Sequence, residues 1–220
     1  RTVRTRVKIC GLSRAEDVAV AIACGADALG LIFFPPSPRA VDLNQAASLA
    51  ASVPALVDLV GVFVDPTEAE VAAVLDRVPL TLLQFHGDET REQCEAYGTP
   101  YIKAVRMRDE VQLETLGDQH PNARAFLLDT YHPKAVGGTG AAFDWTRARI
   151  ELSAPVILAG GLEAQNVGEA LTQSGAWAVD VSTGVESEPG RKCAVKMLEF
   201  CKAVRAWDTQ GADPTVGGEA

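Results

Sequence analysis

Short apolar runs alternate with amphipathic stretches along almost the whole chain. The apolar runs are rich in valine, isoleucine, leucine and phenylalanine, as is typical of strands buried on both faces. Strands are predicted near 5–10, 27–33, 57–63, 80–85, 100–105, 125–129, 155–159 and 177–182. Helices are predicted near 14–24, 43–52, 67–76, 89–97, 109–117, 144–151, 164–173 and 190–206. Eight β-then-α units predict an α/β fold, a single-domain (β/α)8 barrel, with a doubly wound open sheet as the structural alternative.

Helix start signals support several of these segments. Ser13-Arg14-Ala15-Glu16 reads as a capping box, and Asp42, Asp88 and Asp65-Pro66 are typical of helix openings. No linker divides the chain, so one barrel domain is predicted over residues 1–207. Residues 208–220 have no apolar face to bury, which predicts a mobile C-terminal tail.

Composition narrows the class of partner. The chain has 220 residues and a formal net charge of −9, which argues against a nucleic-acid partner because phosphate neutralisation needs a basic face. A small phosphorylated ligand stays possible, since helix N-termini bind phosphate through backbone N–H groups. The five cysteines show no metal-ligand spacing and are typical of free thiols in a reducing compartment. No apolar run reaches the roughly 18 residues of a membrane span and no signal peptide is visible, so we expect a cytoplasmic protein without a membrane partner.

The catalytic face of such a barrel lies at the carboxyl ends of its strands, and two glycine-containing segments occur there. Gly160-Gly161 follows the seventh strand and Ser182-Thr183-Gly184 follows the eighth. Glycine permits close backbone approach to an anion, and the loops after strands seven and eight often hold phosphate in this fold. Together they predict a phosphate site, although a Gly-Gly pair alone also occurs in simple turns.

A thiol and a carboxyl end two other strands. Cys10 ends the first strand and Asp129 the sixth, so they are candidates for a base and an acid. The alternatives are a small core residue for Cys10 and a helix cap for Asp129. Lys8 is two residues before Cys10, so both side chains point to the same face of the first strand. The Asp180 side chain is predicted to point into the barrel from the eighth strand, which is the neighbour of the first strand in a closed barrel. We therefore predict a Lys8–Asp180 ion pair beneath the site, whose cation favours the Cys10 thiolate.

Arg39 and His86 complete the candidate residues. Three prolines precede Arg39 within its loop, and a stiff loop is suited to aiming a guanidinium at a carboxylate. A surface salt bridge is the alternative for Arg39. His86 is two residues after Gln84, so the two side chains are expected to point in the same direction, and His86 is expected to face the site. The other histidines, His120 and His132, fall in predicted loops, so His86 lacks companion ligands and no metal is predicted.

A set of motifs in a fixed order adds a family resemblance. The motifs are Val-Lys-Ile-Cys-Gly-Leu, Phe-Phe-Pro-Pro-Ser-Pro-Arg, Val-Gly-Val-Phe-Val, Leu-Gln-Phe-His-Gly-Asp-Glu, Leu-Leu-Asp-Thr, Gly-Gly-Thr-Gly, Phe-Asp-Trp, Leu-Ala-Gly-Gly-Leu and Asp-Val-Ser-Thr-Gly-Val-Glu. Over roughly residues 6–206 the chain closely resembles phosphoribosylanthranilate isomerase, an enzyme of tryptophan biosynthesis. The resemblance implies a (β/α)8 barrel and a cofactor-independent Amadori rearrangement of an aminoaldose to an aminoketose.

The resemblance also implies roles for individual residues. Cys10 matches the general base, Asp129 the general acid and Arg39 the arginine that holds the anthranilate carboxylate. The residues matching the phosphate-binding loops are Gly160, Gly161, Ser182, Thr183 and Gly184. We expect His86 and Asp180 to border the same substrate. The family includes monomers and dimers, so either a monomer or a homodimer is expected.

Three other functions fit a barrel of this kind. A catalytically silent phosphosugar-binding barrel would lack the acid or the base, and here both are present. A metal-dependent epimerase would need several histidine and aspartate ligands at strand ends. A sugar isomerase of the histidine pathway typically pairs two aspartates, and Cys10 at the end of the first strand argues against it. Fold analogy alone does not choose between them.

Overall fold

Eight parallel strands close into one barrel in the computed structural model, which describes residues 4–108, 111–130 and 144–210. Strands β1 to β8 run in chain order around the barrel, and β1 pairs with β8 to close it. Their bounds are Arg6–Cys10, Ala28–Ile32, Asp58–Phe63, Leu82–Phe85, Tyr101–Arg106, Ala125–Asp129, Val156–Ala159 and Ala178–Val181. The predicted (β/α)8 barrel is confirmed, and the open sheet is excluded by the β1–β8 pairing.

Seven α-helices accompany the strands in the described part of the chain. Helices α1 to α7 span Ala15–Ala23, Leu43–Ala50, Glu68–Arg77, Arg91–Glu95, Leu116–Gln119, Val167–Ser174 and Ala194–Gln210. Residues 109–110 of the helix predicted over 109–117 lie outside the described residues. The rest of that segment contains a 3-10 turn, Leu113–Thr115, that leads into the short α5. Gly117 weakens this helix, and Pro121 ends it early. The helix predicted over 144–151 is also wrong, because only a 3-10 turn, Trp145–Ala148, forms there.

Two of the predicted helix starts differ in outcome. Asp42 caps α2 as predicted, accepting a hydrogen bond from Gln45 N at 2.8 Å. The capping box predicted at Ser13 is wrong, since the N-cap of α1 is Arg14 and makes no side-chain cap. Ser13 Oγ instead donates to Gly190 O at 3.1 Å. This contact draws Ser13 toward the segment that follows the eighth strand.

Threonines, and not the predicted aspartates, open α3 and α4. Thr67 forms a capping box with Glu70, and Thr90 forms one with Gln93. Asp65, predicted to open α3, instead accepts a hydrogen bond from the backbone N of Asp88 at 2.7 Å. Asp65 thus joins the loops after β3 and β4.

Strand alternation divides the buried residues into two layers. Inside the barrel lies a cluster of mostly small apolar side chains: Val60, Ile102, Ala104, Ala125, Leu127, Ile157, Ala159 and Ala178. Alternate residues such as Val7 and Ile9 belong to the larger cluster between the sheet and the helices. The Lys8 side chain lies on the other face of β1 from Val7 and Ile9 and is almost fully buried, as predicted for a side chain that points into the barrel.

A hairpin interrupts the path from β8 to the last helix. Strands β9 (Glu186–Glu188) and β10 (Arg191–Lys192) pair before α7, so the helix predicted from residue 190 begins at Ala194. Helix α7 ends at Gln210 and includes residues 208–210, which the sequence had assigned to the tail. Asp208 accepts a hydrogen bond from Thr5 Oγ1 at 2.6 Å, which fixes this end of the helix. Residues 211–220 lie outside the described residues, and within the described ones no helix meets the length and hydropathy of a membrane span.

Candidate active site

A cavity of about 400 Å³ opens at the carboxyl end of the barrel strands. Its lining includes Cys10, Arg39, His86, Asp129, Gly160, Gly161, Asp180, Ser182 and Thr183. Residues from strands β1, β6 and β8 and from the loops after β2, β4, β7 and β8 therefore converge on one space. Gly184 is the predicted site residue that does not line it. The sequence prediction of a shared rim is thus matched by the geometry.

Lys8 and Asp180 form the predicted ion pair. The strand register places Lys8 directly opposite Asp180, and Lys8 Nζ lies 2.9 Å from Asp180 Oδ1. Both side chains are almost fully buried, which strengthens their attraction relative to a surface pair. Asp180 also lines the cavity, so the pair lies at its floor.

Cys10 is buried beside this pair. The absence of a side chain at Gly30 makes room for the thiol, because a Cβ there would lie 2.7 Å from Cys10 Sγ. Burial raises the pKa of Cys10, and the charge of Asp180 adds to that effect. The charges of Lys8 and Lys192 lower the pKa of Cys10 but do not outweigh burial. Lys8 therefore acts in the expected direction, and the thiol still remains the favoured form near neutral pH.

Asp129 lies across the cavity from Cys10, at the end of β6. His86 Nε2 is 3.3 Å from Asp129 Oδ2, a close contact that lacks hydrogen-bond geometry. Both side chains are about one-fifth exposed and line the cavity. The site thus presents a carboxyl group with an imidazole at its edge.

Arg39 is held by the carboxylate of Glu186, a residue without a predicted role. Its Nε donates to Glu186 Oε1 and its Nη2 to Glu186 Oε2, both at 2.7 Å. The predicted alternative, a salt bridge, is therefore present, but it is mostly buried and lies at the cavity. Arg39 Nη1 makes no hydrogen bond to the described residues, so it remains able to donate to a ligand.

Glycines shape the loops after β7 and β8. Gly160 and Gly161 have φ angles of 93° and 64°, a region that favours glycine. Thr130 Oγ1 donates to Gly160 O at 2.9 Å and ties this loop to β6. A Cβ at Gly184 would overlap the backbone oxygen of Leu162, so a side chain is excluded where the two loops touch. These loops can bring several backbone N–H groups to one anion.

Comparisons with known proteins decide the family. The sequence model described as N-(5'-phosphoribosyl)anthranilate (PRA) isomerase matches residues 7–203. The chain belongs to the phosphoribosylanthranilate isomerase family. It is 50% identical over 200 residues to an N-(5'-phosphoribosyl)anthranilate isomerase of Pseudomonas putida, covering 91% of this chain and 97% of that protein.

Solved structures of phosphoribosylanthranilate isomerases have the same fold. One contains reduced 1-(o-carboxyphenylamino)-1-deoxyribulose 5-phosphate, has 33% identity and a TM-score of 0.80, and is matched over 92% of this chain and 99% of its own. A second, from Thermotoga maritima, is described as monomers generated from a dimeric enzyme. It has 30% identity and a TM-score of 0.76, over 91% of this chain and 98% of its own. The chain is therefore an isomerase of tryptophan biosynthesis, as the motifs had implied.

Two residues of this isomerase were missed by the sequence analysis. Glu186 ends the Asp-Val-Ser-Thr-Gly-Val-Glu motif, which by itself predicts no role for it, and Lys192 lies in the helix predicted over 190–206. Lys192 Nζ donates to Ser182 O at 3.0 Å, to Ser182 Oγ at 3.3 Å and to Glu186 Oε1 at 2.9 Å. The turn-forming pair Pro189-Gly190 was the available signal, because it predicts a reversal that brings Lys192 back toward Glu186.

A second missed ion pair supports the loop that carries His86. Lys103 Nζ lies 2.7 Å from both Glu89 Oε2 and Gly87 O, and Glu89 also accepts hydrogen bonds from backbone N–H groups of Asp65 and Gly87. The His86 loop is thereby fixed to β5 and to the loop after β3.

Two sequence predictions reach beyond the described residues. No group of three or more potential metal ligands occurs within 4–108, 111–130 and 144–210, and the absence of a metal stays a prediction. His132 and the Gly-Gly-Thr-Gly motif at 137–140 lie outside those ranges.

Proposed function

We propose that Cys10 and Asp129 are the general base and general acid of this isomerase. The reaction converts N-(5-phosphoribosyl)anthranilate to 1-(2-carboxyphenylamino)-1-deoxyribulose 5-phosphate. The observation that carries the proposal is that a thiol on β1 and a carboxyl on β6 border one cavity with two glycine-containing loops. A base and an acid on opposite sides of one cavity are what an aldose–ketose isomerisation needs.

The substrate is placed by its two anionic groups. The phosphate binds at the loops after β7 and β8, where Gly160, Gly161, Ser182, Thr183 and Gly184 supply backbone N–H groups and hydroxyls. The anthranilate carboxylate binds at the open side of Arg39. These two anchors place the ribose between Cys10 and Asp129, which turns binding energy into orientation of the reacting atoms.

The reaction proceeds through ring opening and then proton transfer from carbon. The Asp129 carboxyl gives its proton to the ring oxygen as the bond between that oxygen and C1 breaks, leaving a Schiff base of the open sugar. The Cys10 thiolate then takes the proton from C2, and the electron pair forms the C1–C2 double bond of an enolamine as the π electrons of the C1–N double bond move to the nitrogen. The enolamine gains a proton at C1 as the C2 hydroxyl loses one, which gives the ketone. The reaction therefore needs a proton on the Asp129 carboxyl and an ionised Cys10 thiol at the same time.

Cys10 can act as a base only in its thiolate form. Because burial raises the pKa of Cys10, the cations of Lys8 and Lys192 are the groups that increase its thiolate fraction. His86, at 3.3 Å from the Asp129 carboxyl, borders the acid on the other side of the cavity.

The location and assembly of the enzyme complete the proposal. We place it in the cytoplasm, where its free cysteines stay reduced, with a small phosphorylated molecule as its partner. A monomer and a homodimer both fit the family, and sedimentation equilibrium of the purified chain distinguishes them.

Fluorescence decay of freshly prepared N-(5-phosphoribosyl)anthranilate tests the catalytic roles. Wild type is expected to consume the substrate, and Cys10→Ala and Asp129→Asn are each expected to lose roughly 10²- to 10⁴-fold in kcat. The controls are Cys24→Ala and Asp76→Asn, which change the same residue types away from the cavity and are expected to keep the wild-type rate.

Two results would change the proposal in different ways. Near-wild-type rates for Cys10→Ala and Asp129→Asn would show that the acid and base are other residues. An inactive wild type that still binds the reduced product would instead support the silent phosphosugar-binding barrel.

A further inference from the structure

Lys192 carries an ammonium group that is completely enclosed by protein. Its side chain is 0% exposed, and all three of its acceptor atoms belong to Ser182 and Glu186. Burying an ammonium group is costly unless it is paired and hydrogen-bonded. The structure satisfies Lys192 entirely with groups at the rim of the active-site cavity.

Glu186 is shared between two cations. Its Oε1 accepts from Arg39 Nε at 2.7 Å and from Lys192 Nζ at 2.9 Å, while its Oε2 accepts from Arg39 Nη2 at 2.7 Å. Hydrogen bonds from Arg39 and Lys192 outweigh the effect of burial and lower the pKa of Glu186, which keeps it ionised. Burial lowers the pKa of Lys192, and the hydrogen bond and charge of Glu186 oppose that effect. With Lys192 protonated, the three side chains carry one net positive charge. If Lys192 were absent, the charges of Arg39 and Glu186 would cancel each other.

The segment that carries Lys192 is held in place without its ammonium group. Lys192 N donates to Asp17 Oδ2 at 3.2 Å, and Cys193 N donates to Val185 O at 2.8 Å. Ser13 Oγ donates to Gly190 O in the adjoining turn. Since the backbone is anchored on both sides of Lys192, holding the hairpin does not account for the buried charge.

We propose that Lys192 is a positioning residue that balances the charge of Glu186, so that Arg39 keeps a positive charge for the carboxylate of the substrate. Through Ser182 O and Oγ the same ammonium group fixes the start of the phosphate loop. The inference rests on the proposed role of Arg39 and on the proposed phosphate site. It predicts that Lys192 affects substrate binding through charge, in a way that depends on Glu186.

A double-mutant cycle tests this dependence. Lys192→Met, Glu186→Gln and the double variant are compared for KM, for kcat and for the binding of anthranilate and of inorganic phosphate by competition. Lys192→Met is expected to raise KM and to weaken the binding of anthranilate by about tenfold or more, with a smaller change in kcat. The double variant is expected to recover most of the anthranilate affinity, because Arg39 is no longer neutralised by a carboxylate.

Lys196→Met is the matched control. Lys196 Nζ donates to the backbone oxygen of Glu186 at 2.8 Å, so this variant removes a neighbouring lysine without touching the carboxylate. It is expected to keep the wild-type KM. Lys192→Arg retains the charge and is expected to stay within a few-fold of wild type.

Several outcomes would overturn the inference. An unchanged KM in Lys192→Met would do so, as would a loss confined to kcat or a double variant that binds anthranilate as weakly as Lys192→Met. If Lys192→Met does not fold, the double variant decides, since it lacks the unpaired buried carboxylate and must bind anthranilate about as well as wild type. Direct titration with anthranilate measures binding without turnover. An absence of turnover in wild type would refute the proposed function and not this inference.

Discussion

The Lys8–Asp180 pair allows a quantitative test of how the floor of the site is built. The pair is 4% and 10% exposed, with its charges 2.9 Å apart. At an effective dielectric constant of about 20, their attraction is roughly 6 kcal/mol. Removing two ions from water costs several kcal/mol each, so the intact pair adds little net stability. Lys8→Met, however, leaves Asp180 buried and uncompensated, and we expect it to lower the free energy of unfolding by about 3–5 kcal/mol.

The same substitution is expected to change the chemistry of Cys10. Lys8 lowers and Asp180 raises the pKa of Cys10, so Lys8→Met should move that pKa still further above the ordinary cysteine value of about 8.5. Lys8→Met/Asp180→Asn removes both influences. It should return the pKa of Cys10 toward that of wild type and recover part of the lost stability.

Two measurements check these expectations. Urea denaturation gives the free energy of unfolding, and mass spectrometry of the Cys10 peptide after timed iodoacetamide treatment gives its thiolate fraction against pH. Lys202→Met, an exposed lysine on α7, is the control for loss of one positive charge. A loss below about 1 kcal/mol in Lys8→Met, or alkylation of Cys10 at lower pH than in wild type, would refute the reasoning.

Two further predictions concern Glu186 and Gly184. Because the pKa of Glu186 is lowered in the folded protein, its stabilising effect should be fully present above its unfolded value of about 4.3 and vanish as the pH falls through the lowered pKa. Urea unfolding of wild type and Glu186→Gln across this range should show a stability difference that shrinks toward acid; a constant difference would contradict the assignment. Gly184→Ala forces a Cβ onto Leu162 O and should cost about 1–3 kcal/mol and weaken the binding of inorganic phosphate. Gly168→Ala on α6 should do neither, because a Cβ there makes only an ordinary contact with the Trp207 ring at 3.9 Å. Equal stabilities and phosphate affinities in the two variants would show that the loop contact does not matter.

The ion pair at the floor was predictable because strand geometry alone determines it. Lys8 is two residues from Cys10, and side chains two apart on a strand share a face. Closure of the barrel then makes β1 and β8 neighbours, which places Lys8 opposite Asp180. The direction of each side chain is readable from the apolar runs, and the count of eight β-then-α units favours closure, so the pair followed once the barrel was chosen over the open sheet.

The pairs around Glu186 and Glu89 could not be predicted in this way. Lys192 reaches the rim through a hairpin that follows β8, and its position depends on the turn at Gly190. Glu89 reaches Lys103 from a loop, where side-chain direction has no fixed period. Loop side chains are placed by contacts between distant segments. Pro189-Gly190 predicts the chain reversal before Lys192, but no local pattern in the sequence identifies Glu186 or Glu89 as the partner carboxylate.

The helix starts show a different limit. Aspartate and threonine are both favoured N-cap residues, so Asp65 and Thr67 compete for the start of α3. The choice is made by the residue at the third helical position, because Glu70 completes a capping box with Thr67. This signal was present in the sequence. The side chain of Asp65 was available to bind Asp88 N across two loops because it was not needed as a cap.

The charge of the whole chain and the charge of the Arg39–Glu186–Lys192 cluster at its site have opposite signs, and this separates two kinds of anionic partner. The chain carries a formal charge of −9, which opposes an extended polyanion because such a partner needs many cations on an open face. Arg39, Lys192 and Glu186 together carry one positive charge at an enclosed rim. Interactions at hydrogen-bond distance in a mostly buried cavity are screened far less than those across a surface. A small molecule with a phosphate and a carboxylate therefore needs only two local anchors, and the overall charge of the protein does not decide its binding.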